Sequence, residues 1–223
     1  MATTLRLVQI GAMTSITLSD RIFNDDDRGE IDPYSLFEEW FARAQESEPN
    51  DPHAMALASV DASGLPDVRM VLMNAHDRRG IVFFTNFDSR KGEELLANPK
   101  ASAVFHWKSL RRQVRLRGPV EIVEAGEADA YFATRSRVSQ IGAHASRQSR
   151  PLAAKSVLME QVDMLKASLG EDEPVTRPSN WSGFRIRPLE IEFWQDGAFR
   201  LHDRVRFSRE TPDAVWSRQR LYP

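Results

Sequence analysis

Cysteine is absent from the 223-residue chain, which excludes disulfides, thiolate metal sites and cysteine nucleophiles. The absence suits a cytoplasmic location. No apolar run reaches membrane-spanning length. The N-terminal LRLVQIGAM is interrupted by Arg6 and Gln9 and has no signal-peptide core, so no membrane association is expected. An excess of either charge is also missing: 30 basic residues stand against 32 acidic ones, a net charge of -2 with an isoelectric point near 6.2. That balance gives no reason to expect nucleic acid as a partner. The motifs GxGxxG, GxxxxGK, HExxH and GxSxG do not occur. His53, His76, His106 and His144 show no metal-ligand spacing and read as structural or surface residues, so no metal is expected. Glu190 and Glu192 share a strand face and read as exposed side chains, not as a hydrolytic pair. Hydrolytic, covalent and metal chemistry are all disfavoured.

The chain does carry a clear mixture of strands and helices. In DPYSLFEEWFARA, Asp32 is placed to cap a helix and Pro33 fits its first position. Leu36, Phe37, Trp40, Phe41 and Ala44 then form one apolar face. AMALASV, VRMVLMN and GIVFFTN are strand-like runs separated by turn-rich segments, which suggests an antiparallel meander. ASAVFHW and RRQVRLRGPVEIV extend it; Val114 and Leu116 point one way, Gln113, Arg115 and Arg117 the other. Helices are expected over GEADAYFATR and over about 152–169, with GEDEPVTRPSN as a connector. FRIRPLEIEFWQDGAFRLHDRVRF returns to β structure, with a hairpin turn at Asp196-Gly197. Residues 1–30 read as a flexible arm because SDRIFNDDDRGE is polar and acidic, and 31–223 as a single domain. The fold class is mainly antiparallel β with helices, barrel-like.

Three groups of residues are suited to anions. In TNFDSRKGEELL, Asp88 or Ser89 can cap a helix whose first residues are Arg90 and Lys91. Cations at a helix N-terminus are unfavourable unless an anion joins them, and Arg69 on a neighbouring strand adds a third. The competing reading is a solvated pair bridged to Glu93 or Glu94. In FRLHDRVRF, Phe199, Leu201, Val205 and Phe207 alternate with Arg200, His202, Arg204 and Arg206. Trp194 adds a flat surface across the turn. A charged edge strand carries the same pattern. In YFATRSRVSQ, Tyr131, Arg135 and Ser139 are spaced by four and share a face if one helix continues through them. Anion sites and aromatic surfaces without an evident protein base fit an enzyme whose cofactor carries the reaction.

The ordered motifs RMVLM, FFTNFDSRKGEEL, NPKASAVFHW, RRQVRLRG, YFATRSRVSQIGAHAS, RQS, WSGFRI, EIEFWQDGAFRLHDR and RLYP, spread over about residues 33–223, carry a resemblance to the pyridoxamine 5'-phosphate oxidase family. The resemblance implies an FMN-binding split β-barrel and a homodimer with FMN at the subunit interface. It implies FMN contacts from Arg69, Met70, Val71, Leu72, Phe84, Thr85, Arg90, Lys91, Gln113, Gln148, Ser149, Trp194 and Arg204. It implies a phosphorylated pyridine substrate held by Asn74, Tyr131, Arg135 and Ser139, with Arg200 and His202 over the ring as the catalytic pair. The implied reaction oxidises pyridoxine or pyridoxamine 5'-phosphate to pyridoxal 5'-phosphate, with O2 as acceptor and H2O2 as product.

The chain departs from the family pattern at three positions. Asn74 stands where the family has a lysine that reaches the substrate phosphate, which lowers the expected phosphate affinity. Phe84 replaces a tyrosine, and His144 a tryptophan. Two alternatives therefore stay open: a flavin oxidase of the phenazine-pathway type with another substrate, and a non-catalytic flavin-binding split-barrel protein. Proteins of the latter kind usually have no RLHDR segment.

Overall fold

The structure, a computed structural model, describes residues 17–24, 29–170 and 173–223. Helix α1 (Leu18–Ile22) precedes α2 (Pro33–Ser47). Strands β1 (Ala54–Val60), β2 (Pro66–Leu72), β3 (Ala75–Asp77) and β4 (Gly80–Asn86) follow. After α3 (Arg90–Ala97) come β5 (Lys100–Trp107) and β6 (Arg112–Ile122). Helices α4 (Ala125–Thr134), α5 (Arg137–Ala145) and α6 (Lys155–Ser168) lead to β7 (Trp181–Ile186), β8 (Glu190–Gln195), β9 (Asp203–Ser208) and β10 (Ser217–Arg220). All the strand pairings are antiparallel, in the order β10-β9-β8-β6-β5-β1-β2, with β3, β4 and β7 branching off β6.

The branch point explains the split. Residues 112–117 of β6 pair with β8, and residues 120–122 pair with β7. Gly118 and Pro119 sit between the two registers. A Cβ at Gly118 would lie 2.1 Å from the carbonyl oxygen of Arg187, so only glycine lets the two backbones pass this closely.

The core follows the sequence periodicities. Asp32 caps α2 by accepting from Tyr34 and Ser35 N–H, and Leu36, Phe37, Trp40 and Ala44 are buried beneath it. Met55 and Leu57 of β1, Phe105 and Trp107 of β5, Val114 and Leu116 of β6, and Phe193 and Phe207 complete one cluster.

Four sequence-based expectations change. Part of the expected flexible arm is a capped helix: Thr17 and Asp20 form a capping box, Ile22 is buried, and Trp40 Nε1 donates to Ser19 Oγ at 2.5 Å. The rest of that arm, 1–16 and 25–28, lies outside the described residues, as do 171 and 172 of the connector. The Asp196-Gly197 hairpin is a seven-residue connection from β8 to β9. It contains a short 3-10 turn, Ala198–Arg200, in which Phe199 and Arg200 take φ of 56° and 67°. Phe199 and Leu201 are therefore 93% and 69% exposed and do not join Val205 and Phe207 in the core. Glu192 is buried, held by Arg115 at 2.5 Å and Arg204 at 2.8 Å. The condition that one helix continues through Tyr131, Arg135 and Ser139 is not met: α4 covers the expected GEADAYFATR segment, Arg135 ends it in an extended conformation and Ser136 caps α5.

Candidate functional site

A cavity of about 570 Å³ opens between β2, β4 and helices α4 and α5. That size suits a cofactor or small substrate. Twelve of the residues named from sequence meet in it. They are Arg69, Met70, Val71, Leu72 and Asn74 from the β2 end, Phe84, Thr85 and Lys91 from the β4–α3 segment, and Tyr131, Arg135, Ser139 and Gln148 opposite. The helix break does not scatter the last group, since the turn at Arg135–Ser136 keeps all three expected side chains on the cavity wall. Sequence reasoning missed Asn86, Gly142, Ala143, Ser146 and Trp181, which also line it. Trp181 opens the WSGFRI motif, which was the only signal for it.

The aromatic wall is planar. Phe84 stacks on Tyr131 at 4.2 Å and on Trp181 at 5.4 Å, both with 6° between ring planes. Gly183 makes room for it, because a Cβ there would lie 2.8 Å from the Phe84 ring.

Two cations in the cavity have no carboxylate partner among the described residues. Lys91 Nζ donates to Gln148 Oε1 at 3.0 Å and approaches Thr85 Oγ1 and Ser89 Oγ at 3.4 and 3.5 Å. Burial, and then repulsion from Arg69, pushes the Lys91 ammonium below its ordinary pKa. Arg135 lies over the Trp181 ring at 4.8 Å and the Phe132 ring at 5.7 Å. Its buried Nη1 has no hydrogen-bond partner, and burial lowers its pKa as well. A bound anion would satisfy both groups. Arg69 differs: Asp67 at 2.9 Å and Glu94 at 3.0 Å already neutralise it.

Other residues named from sequence lie elsewhere in the chain. Ser89 is the cap of α3, and Arg90 turns away from the cavity to Glu94 at 3.1 Å and Asp67 at 3.5 Å. Ser149 lines a neighbouring cavity that shares Gln148. Gln113, Trp194 and Arg204 form one cross-strand row over β6, β8 and β9. His202 packs on Trp194 at 4.8 Å, and its Nδ1 accepts from Gly197 N–H at 3.2 Å. Arg200 lines a second cavity of about 750 Å³ with Arg43, Arg111 and Arg112. His144 Nε2 contacts the Thr176 carbonyl at 2.8 Å.

A branched antiparallel sheet with a basic, aromatic-walled cavity beside it defines the class of FMN-binding split barrels. The chain superposes with a TM-score of 0.81 and 31% identity on PhzG from Burkholderia lata, solved with tetrahydrophenazine-1-carboxylic acid, over 88% of this chain and 95% of that one. It superposes with a TM-score of 0.70 on a pyridoxamine 5'-phosphate oxidase-related, FMN binding protein from Nostoc punctiforme, over 87% of this chain and 100% of that one; at 14% identity this supports the fold alone. Residues 41–166 match the family model of pyridoxamine 5'-phosphate oxidase, and residues 181–223 that of the pyridoxine 5'-phosphate oxidase C-terminal dimerisation region. The chain is 57% identical to the pyridoxine/pyridoxamine 5'-phosphate oxidase of Agrobacterium fabrum over 94% of this chain and 98% of that one. It is 60% identical to the enzyme of that name from Azorhizobium caulinodans over 86% of this chain and 90% of that one. The chain belongs to the pyridoxamine 5'-phosphate oxidase family.

Proposed function

We propose that this protein is an FMN-dependent oxidase converting pyridoxine or pyridoxamine 5'-phosphate to pyridoxal 5'-phosphate. The observation that carries the reading is one cavity holding two cations without a carboxylate partner among the described residues, Lys91 and Arg135, for a ligand pair with two phosphates. The flavin's contribution when bound is a two-electron acceptor for the substrate C4' carbon and a route for those electrons to O2, giving H2O2. The chain's own residues bind and orient. Lys91, with Thr85, Gln148 and Arg69, takes the flavin phosphate; the Met70–Leu72 backbone and Phe84 border the ring. Tyr131, Arg135 and Ser139 take the substrate phosphate. No protein base is invoked, so the rate gain comes from alignment and fixed charge.

Gln113, Trp194, Arg200, His202 and Arg204 lie outside this cavity within one chain. In the proposed homodimer the second copy brings them to it, Arg200 and His202 facing the pyridine ring. The match of 181–223 to a dimerisation region supports this, as do the exposed Phe199 and Leu201 and the exposed Val68, Met70 and Leu72 on edge strand β2. Arg90, paired with Glu94 and Asp67, and Ser149, in the neighbouring cavity, do not line this one, so neither is assigned a flavin contact. No helix among the described residues is long and apolar enough to cross a membrane.

The purified protein is expected to carry FMN and to release peroxide with both phosphorylated substrates. Bound FMN without peroxide would leave a phenazine-type oxidase or a non-catalytic flavin protein; absence of FMN binding would overturn the reading entirely. A Lys91→Met variant is expected to bind FMN roughly 10- to 100-fold more weakly in a flavin-fluorescence titration, as a charged hydrogen bond to phosphate is lost. Unchanged affinity would place the flavin phosphate elsewhere.

A further inference from the structure

Asn74 occupies the junction of β2 and β3, with its backbone N–H held by the Val82 carbonyl at 2.8 Å. Its side chain spans two partners. Oδ1 accepts from Phe84 N–H at 3.1 Å, and Nδ2 donates to Tyr131 Oη at 2.6 Å. The amide has only one workable orientation. A backbone N–H can only donate, so the oxygen must face Phe84 and the NH2 must face the phenol. Tyr131 Oη is therefore an acceptor towards Asn74, and its own proton is left for another partner. The ring cannot turn away, because it lies flat on Phe84 at 4.2 Å. Tyr131 shares the cavity with Arg135 and Ser139.

We propose that Asn74 is a positioning residue that acts through Tyr131, fixing the phenol as a hydrogen-bond donor to a phosphate-ester oxygen of the substrate. The proposal rests on the reading of this cavity as a site for a phosphorylated pyridine. On it, a short amide replaces a cation by directing a neighbour's proton, and does not itself touch the phosphate. The same amide satisfies Phe84 N–H, so it ties the aromatic wall to the donor that the wall presents.

The test is a double-mutant cycle on the FMN-loaded protein, read as the Kd of 4'-deoxypyridoxine 5'-phosphate by calorimetry. That analogue has no oxidisable carbinol, so binding is measured without turnover. Asn74→Asp keeps an acceptor for Phe84 but makes the second oxygen an acceptor too, which draws the phenol proton away from the ligand. It is expected to raise Kd roughly tenfold or more. Tyr131→Phe is expected to raise Kd roughly five- to tenfold in the native background, and less than about twofold beside Asn74→Asp, where the donor is already diverted. Equal costs of Tyr131→Phe in both backgrounds would show that Asn74 acts independently of the phenol and overturn the proposal. Should Asn74→Asp fail to fold, Asn74→Ala takes its place. It frees the phenol to rotate, and its cost must shrink to none when combined with Tyr131→Phe. Failure of the unmutated protein to bind the analogue is a separate outcome, which overturns the site reading itself.

Discussion

Arg135→Met is expected to raise KM for pyridoxine 5'-phosphate roughly 10- to 150-fold without lowering thermal stability, since hydrogen bonds to charged groups contribute about 1.5–3 kcal/mol. The two halves of that expectation have one cause. Among the described residues the Arg135 guanidinium has no ion pair and its buried Nη1 no hydrogen-bond partner, and its packing is on the faces of Trp181 and Phe132. Burial depresses its pKa, so the protein bears the cost of keeping a cation there. A ligand phosphate repays that cost; folding alone does not. Methionine keeps much of the apolar stem and its contact with Trp181 while removing the charge. Steady-state kinetics and a thermal melt on the same preparation check both halves. A normal KM would remove Arg135 from the substrate site. A normal KM with a much lower melting temperature would make it a structural residue.

Trp40→Ala is expected to cost about 3–5 kcal/mol of stability, the usual range for emptying a large aromatic site in a core. Trp40 is fully buried and meets Phe193 edge-on at 5.1 Å and Phe23 at 6.3 Å. Arg112 lies 4.4 Å over its ring, and its indole N–H donates to Ser19. One side chain thus joins α2, β6, β8 and α1. Against a total stability of about 5–15 kcal/mol, the loss consumes much of the margin and lowers the melting temperature by roughly 6–20 °C. Removing the indole also undoes the anchor of α1, so residues near Thr17–Phe23 become open to proteolysis well below the main transition. Urea unfolding measures the first effect and limited proteolysis the second; a loss below about 1 kcal/mol would contradict the role given to the ring.

Much of this was legible because local and global signals agreed. Asp32, Pro33 and the Leu36–Phe37–Trp40–Ala44 face specify α2 by cap and period, and AMALASV and GIVFFTN coincide with β1 and β4. The cavity was legible only through the order of many motifs, because its walls come from segments far apart in the chain. The misreadings have physical reasons. FRLHDRVRF alternates like a strand, but alternation does not fix φ, and Phe199 and Arg200 take left-handed values that turn the chain before β9 begins. The spacing of Tyr131, Arg135 and Ser139 suggested one helix, yet Ser136 is a favoured cap residue and its hydroxyl accepts from Ser139 N–H. The polar, acidic run SDRIFNDDDRGE masked a readable signal that begins just before it, Thr17 followed three residues later by Asp20. Arg90 follows the competing reading, an i,i+4 pair with Glu94, while Lys91 beside it lines the cavity.

The branch in β6 bears on how the molecule comes apart. Its first part holds β5 and β8, and its last part holds β7 and through it β4. Loss of β6 therefore releases the β2 wall of the cavity, reached through β5 and β1, together with the opposite wall that carries Phe84 and Trp181. The two walls have no independent opening route through this strand, so they belong to one cooperative unit. The hairpins β1–β2, β3–β4, β5–β6 and β8–β9 are local, but the pairings that join them into that unit, β1 with β5, β4 with β7, and β6 with β7 and β8, link distant parts of the chain, so its assembly is slow compared with that of α2 or α6, and the cavity is among the last features to form.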